Sequence, residues 1–104
     1  MEKFKAICSY GDGNPFELSV DDIDKYIGIV KIKEYLTDAS GNVCGIKFSG
    51  DRGHGYGFNY GWMDFEVRVG DEYSFDHWYT SIDGPSDWNN DSYKFKIRLE
   101  KDNS

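Results

Sequence analysis

Apolar and polar residues alternate along much of this chain, and the alternation predicts β-strands. Residues 63–69 alternate between apolar and charged side chains, a Gly70-Asp71 turn follows, and residues 73–80 alternate again. Residues 4–10 and 93–100 show the same pattern, the latter with one basic face. A side-chain period of two residues is typical of a strand with one buried face. These four segments are therefore predicted to be strands.

Two further strands and one helix are predicted from composition. Residues 26–36 and 43–48 are rich in Ile, Val and Tyr, and the turn-forming segment 37–42 separates them, which predicts a β-hairpin. Ser19 can cap a helix whose first turn holds acidic residues, so one short helix is predicted near residues 20–26. The polar stretch 81–91 is predicted to be a loop.

These elements predict a mostly β fold, namely a small antiparallel barrel or sandwich of about six short strands with at most one short helix. The 104 residues fit a single domain, residues 1–104. Only 38% of the residues are hydrophobic, but 17% are aromatic, and bulky rings can build a core.

The negative charge is confined to one part of the chain. The formal net charge is −7, and residues 64–91 hold eight acids against the single base Arg68, so this stretch carries all of it. Such a field repels phosphate backbones and attracts basic protein surfaces. We therefore expect no direct binding of nucleic acid and a partner protein with a basic surface.

No stretch has the roughly 20 consecutive apolar residues of a membrane span, and residues 1–10 lack the apolar core of a secretory signal. The sequence therefore predicts a cytoplasmic protein with no membrane contact. Cys8 and Cys44 are the only cysteines and lie far apart, so we expect two small buried side chains without a disulfide.

Catalytic and metal-binding patterns are weak. Cys44, His54 and His77 could supply a nucleophile and a base, but no spacing supports such a pair, so no enzyme activity is expected. Oxygen-bearing side chains in residues 83–91 lack the order and the glycine of a calcium loop. The sequence therefore predicts no metal and no cofactor.

Residues 49–61 contain five glycines interleaved with aromatic residues, which argues against regular structure through most of that stretch. A phosphate-binding loop would need a helix after it, and a strand is predicted instead. Two interpretations remain open: a platform of aromatic rings that stacks on a ligand, or a lid that folds inward over the end of the barrel. The aromatic residues concerned are Tyr56, Phe58, Tyr60 and Trp62.

Residues 28–31, 54–58 and 69–75 together resemble, in their order, the cold-shock domains, which are nucleic-acid-binding barrels. An extra hairpin lies between the first two segments, and the strands after the glycine-rich loop are acidic. These departures from the cold-shock pattern contradict affinity for nucleic acid, and the chain is not assigned to that family.

The leading hypothesis is a small acidic inhibitor-type protein, like a phage or mobile-element inhibitor or an immunity factor, that occupies a basic and nucleic-acid-binding surface of a partner protein. Large aromatic residues among acids are typical of interface anchors. The predicted partner-binding residues are Asp64, Glu66, Asp71, Glu72, Asp76, Trp78, Asp83, Asp87 and Trp88. The alternative is a module that binds a carbohydrate or nucleotide through the aromatic residues of segment 53–62. A homodimer formed through strand edges is a third hypothesis.

Overall fold

In a computed structural model, which describes residues 3–20, 26–84 and 87–102, the chain is built from β-strands. Those ranges contain no helix, and hence none long and apolar enough to cross a membrane. The strands, in chain order, are β1 (Lys3–Tyr10), β2 (Phe16–Ser19), β3 (Tyr26–Ile27), β4 (Val30–Thr37), β5 (Val43–Asp51), β6 (His54–Gly55), β7 (Phe58–Asn59), β8 (Trp62–Arg68), β9 (Glu72–Gly84) and β10 (Asp87–Asp102).

The strands form two four-stranded antiparallel sheets and one small hairpin. The first sheet has the order β2-β1-β10-β9, the second has the order β3-β4-β5-β8, and β6 pairs with β7. Strands β8 and β9 follow each other in the chain but belong to different sheets. The turn between them is held to both sheets, because Val69 N–H donates to the carbonyl of Cys44 and Gly70 N–H donates to that of Leu99.

The core lies between the two sheets and is made by the alternate residues that point inward. Phe75 of the first sheet contacts Phe65 of the second, with ring centroids 5.6 Å apart, and Phe95 of its own sheet at 5.5 Å. A Cβ at Gly50 would lie 2.6 Å from Cζ of Phe75, so a larger residue there would displace the Phe75 ring from its place between the sheets. The buried apolar residues are Phe4, Ala6, Cys8, Val20, Val30, Ile32, Ile46, Phe48, Phe65, Val67, Phe75, Phe95, Ile97 and Leu99.

The hairpin of β9 and β10 extends well beyond the other strands of the sandwich. Strands β9 and β10 have 13 and 16 residues, whereas β1 has 8 and ends opposite Phe95. The molecule measures 57 × 25 × 19 Å and has a radius of gyration of 15.7 Å, against about 13 Å for a compact chain of this length. We call residues 78–84 and 87–92, which extend past the end of β1, the arm.

The mostly β, antiparallel fold class is confirmed, and the architecture is a sandwich of two sheets. The described residues form ten strands rather than about six, because β2, β3, β6 and β7 have only two to four residues and are too short to show a period. Most of the helix predicted near residues 20–26 falls on residues 21–25, which lie outside the described residues, and Tyr26 begins strand β3.

The predicted loop at residues 81–91 is wrong, because β9 continues to Gly84 and β10 begins at Asp87. Polar side chains replace the apolar alternation here. Ser81 Oγ donates to Asp91 Oδ2 at 2.8 Å across the two strands. Two paired strands that do not pack on a core need no row of apolar side chains. The sequence of this segment therefore showed no alternation from which strands could be predicted.

Candidate binding site on the arm

A loop from the second sheet crosses onto the arm and is fixed to its edge. We call residues 52–61 the crossing loop. Gly53 forms a parallel bridge with Trp78, whose backbone N–H donates to the carbonyl of Arg52 at 2.9 Å. Gly53 has a φ of +108°, and a Cβ there would overlap the carbonyl oxygen of Trp78. Glycine therefore allows the two backbones to approach.

The crossing loop then folds over the outer face of the arm, the face turned away from the second sheet. Tyr56 N–H donates to Thr80 Oγ1 at 2.7 Å, and that hydroxyl donates in turn to Asn90 Oδ1 at 3.1 Å. A Cβ at Gly55 would overlap Thr80 Oγ1. Glycine at positions 53 and 55 thus has a structural reason, since the loop backbone lies directly on the arm at both positions.

Aromatic side chains from the loop and from the arm meet on this outer face. The ring centroids of Tyr56 and Trp88 are 4.6 Å apart, those of Tyr60 and Trp78 are 6.1 Å apart, and those of Phe58 and Tyr60 are 5.1 Å apart. We call these five residues the outer aromatic cluster. Tyr56 is 72% exposed and Trp88 is 48% exposed. Exposed aromatic rings grouped in this way make the outer aromatic cluster a candidate interaction site.

The outer aromatic cluster joins two groups of residues that the sequence analysis assigned to different functions. Trp78 and Trp88 were predicted as anchors for a protein partner, and Tyr56, Phe58 and Tyr60 as a platform for a small ligand. In the structure the rings of Tyr56 and Trp88 are tilted by only 33° and pack on each other. One face of each ring is therefore already covered by protein.

Trp62, the fourth predicted platform residue, lies elsewhere. It is on the outer face of the second sheet, where its ring meets Tyr26 edge to face at a centroid distance of 5.7 Å. The ammonium of Lys31 lies 5.0 Å from the centroid of Tyr26, which is within range of a cation–π interaction. Trp62 therefore belongs to a separate surface.

The inner face of the hairpin carries a second row of rings. Tyr93 contacts Tyr79 and His77, with centroid distances of 5.9 and 5.1 Å, and meets Tyr10 at 5.4 Å. Burial raises the pKa of Tyr93 and of Tyr10. Nδ1 of His77 donates to the carbonyl of Asp51 at 2.6 Å. We call Tyr10, His77, Tyr79 and Tyr93 the inner aromatic row.

None of these four residues was among the predicted site residues. Alternation along β9 indicated that His77 and Tyr79 face inward. It could not show that the opposing sheet ends before Tyr79, which is 38% exposed.

The predicted acidic residues do not gather on one face. Asp64 and Glu66 are exposed on the outer face of the second sheet, where the Nζ of Lys47 lies 3.9 Å from Asp64 Oδ2. Glu72 and Asp76 are exposed on the outer face of the first sheet, on the other side of the sandwich.

Basic residues face this second acidic group across the strands. Glu72 is in register with Arg98, and Asp76 is in register with Lys94. Asp71 lies in the turn before β9. The carboxylates of β8 and of the first half of β9 are therefore divided between two opposite faces, and each group has lysine or arginine beside it on the neighbouring strand.

The arm itself remains acidic. Residues 69–93 contain no lysine or arginine. Asp91 is exposed on the inner side of the arm and bonded to Ser81. Asp83 and Asp87 lie near the far ends of β9 and β10, but their side chains are outside the described part of the structure.

The two thiols differ, and only one matches expectation. Cys8 is buried, and burial raises its pKa to about 12. Cys44 is only half-buried, which corrects the expectation of two buried cysteines, because its Sγ lies at the sandwich edge 3.5 Å from Nη1 of Arg68. Within residues 3–20, 26–84 and 87–102, no three His, Cys, Asp or Glu side chains are arranged to hold a metal ion.

Comparison with protein-family models, with curated proteins and with solved structures finds no match to this chain.

Proposed function

We propose that this chain is a non-enzymatic binding protein whose arm docks, through the outer aromatic cluster, on an apolar site with a basic rim on a partner protein. One observation carries the proposal. Two segments distant in sequence fold together so that exposed rings, Tyr56 and Trp88 foremost, stand on the arm, whose own residues 78–84 and 87–92 include no lysine or arginine.

The exposed rings can supply enough free energy for specific capture. A Tyr or Trp side chain buries roughly 150–250 Å², and about half or more of each ring in the Tyr56–Trp88 pair is open to solvent. Covering that surface contributes about 5 kcal/mol before the entropy cost of association, at about 25 cal/mol per Å². Buried aromatic anchors of this kind dominate the energies of protein interfaces.

The charge of the arm favours a basic partner over other occupants. An arm with acids and without lysine or arginine raises the association rate with a positive surface, and salt screens the effect. Because basic protein surfaces commonly bind nucleic acid, we propose that nucleic acid competes with the arm for the same site. This is the inhibitor-type or immunity-type role expected from the sequence, with Asp64 and Glu66 outside the contact.

The test uses two tryptophans of matched exposure. Trp88 is 48% exposed on the arm, and Trp62 is 46% exposed on the second sheet. The tagged full chain, Trp88→Ala and Trp62→Ala are each used to capture proteins from a lysate of the source cells at low and high salt. We expect Trp88→Ala to lose the proteins that the wild type and Trp62→Ala retain, at an unchanged melting temperature. Capture by Trp88→Ala equal to that by the wild type would remove the cluster from the mechanism.

The competition is measured on the captured complex. Duplex DNA added at fixed ionic strength is expected to release the partner from the immobilised chain, while an equal concentration of a neutral polymer is not. Release by neither would refute nucleic-acid competition and leave the docking proposal standing.

A further inference from the structure

We infer that the partner receives the arm in a cleft and contacts both of its faces, rather than covering the outer aromatic cluster alone. This inference rests on the proposed function and adds the shape of the partner's site. Its basis is the second set of rings, the inner aromatic row, on the opposite side of the same hairpin.

The inner aromatic row extends past the layer that covers the rest of its sheet. Phe75, earlier on β9, is buried against the second sheet, with its ring beside Gly50. The covering chain then turns away, because Asp51 accepts a bond from His77 and Gly53 already pairs with the edge of β9 at Trp78. Tyr79 is two residues further along and is 38% exposed.

Both faces of the arm therefore present rings to solvent, Trp88 on the outer face and Tyr79 on the inner face. A partner that docked on one face would leave the other set of rings in water. A cleft would cover both sets of rings. Its walls would lie about 10 Å from the arm on each side, which is the spacing of packed sheets.

The charge distribution identifies the walls of that cleft as basic. No lysine or arginine occurs from residue 69 to residue 93, and Asp91 is exposed on the inner side of the arm. A second copy of this chain would bring two such acidic arms together, and like charges oppose that contact. The occupant proposed is therefore a protein cleft with basic walls and an apolar floor.

Photo-cross-linking from each face tests the inference. Benzoylphenylalanine replaces Tyr79 on the inner face, Tyr56 on the outer face or Trp62 on the second sheet, each in the full chain. Each protein is irradiated in a lysate of the source cells, and the adducts are identified by mass spectrometry. Circular dichroism first verifies that the three proteins keep the wild-type fold.

We expect the Tyr79 and Tyr56 positions to cross-link to one and the same polypeptide, and the Trp62 position to give no adduct with it. Adducts from Tyr56 alone would overturn the cleft and leave the proposed function standing. Adducts from neither arm position would refute both. An adduct with the mass of two copies of this chain would identify a self-association surface and overturn the inference.

Substitutions of Tyr79 test the inference quantitatively. Once the partner is identified by cross-linking, Tyr79→Ala is expected to weaken its binding at least tenfold, while Tyr79→Phe, which keeps the ring, retains affinity within about twofold. Equal affinities for the two variants would contradict contact on the inner face.

Discussion

Replacement of Gly53 by alanine tests how the crossing loop is fixed to the arm. Gly53 has a φ of +108°, and the added Cβ would overlap the backbone carbonyl oxygen of Trp78. Backbone atoms cannot rotate away as the end of a long side chain can. The loop must therefore move off the edge of β9, and this movement breaks the hydrogen bond from Trp78 N–H to the carbonyl of Arg52.

Two contributions set the size of the effect. Holding a residue other than glycine at positive φ costs about 1–2 kcal/mol. Loss of the backbone hydrogen bond adds about 1 kcal/mol, and the steric overlap adds to this. We expect Gly53→Ala to lower the free energy of unfolding by about 3 kcal/mol. For a domain of this size that is a fall in melting temperature of roughly 12 °C or more.

Gly57 in the same loop provides the matched control. Its φ is +87°, but a Cβ there would meet nothing within 4 Å, so Gly57→Ala carries the backbone strain without the overlap. We expect it to cost about 1 kcal/mol. Urea unfolding followed by tryptophan fluorescence measures both variants, and near-ultraviolet circular dichroism reports the packing of Tyr56 on Trp88. Equal losses of stability with unchanged aromatic spectra would refute the proposed attachment at Gly53.

Three other predictions concern the core and the thiols. Phe48→Ala removes a fully buried ring and is expected to cost about 3–5 kcal/mol in urea unfolding; a loss below about 1 kcal/mol would contradict its core position. Thiol titration of the native protein at pH 8 should modify Cys44 alone, because Cys8 is buried with a pKa of about 12, and rapid modification of both would contradict this. Folding raises the pKa values of Cys8, Tyr10 and Tyr93, so their contribution to stability is complete below pH 9 and declines as the pH rises towards 12. Melting temperatures measured across that range should fall, and less steeply in Cys8→Ala.

Strands with one buried face could be predicted from the sequence. Alternation identified β1, β8, the first half of β9 and the second half of β10, because each presents one side to the core and the other to water. The β4–β5 hairpin was identified by its content of Ile, Val and Tyr. The outer half of the hairpin contributes to no core. Its ladder is stabilised by polar pairs such as Thr80 with Asn90, and a hydrophobic pattern carries no information about such pairs.

The distribution of acids could not be predicted, for a topological reason. The pattern correctly implied that Asp64 and Asp76 point away from the core. It could not assign β8 and β9 to different sheets, since a Gly70-Asp71 turn is equally compatible with a hairpin within one sheet. The turn instead connects the two sheets, so the acidic side chains of β8 and those of β9 lie on opposite outer faces of the sandwich.

The contact between the crossing loop and the arm also could not be predicted from the sequence. Tyr56 and Trp88 are 32 positions apart, and their contact depends on the bridge between Gly53 and Trp78. The glycines of that region indicated only an absence of regular structure, not a contact with another strand. For this reason the sequence analysis assigned the loop rings and the two tryptophans to separate hypotheses, although they lie together in the structure.

The crossing loop has two roles, and they can be separated by substitution. A two-stranded ribbon is marginally stable in water and needs a covering layer. The loop supplies that layer on the outer face through Gly53 and Tyr56, and the same segment presents the rings proposed to meet a partner. Substitution of Gly53 should therefore lower stability and binding together, because the whole loop is displaced. Substitution of Trp88, which is half exposed and outside the core, should lower binding alone. If both variants lost stability in the same proportion as binding, the arm would be a structural element and no docking surface.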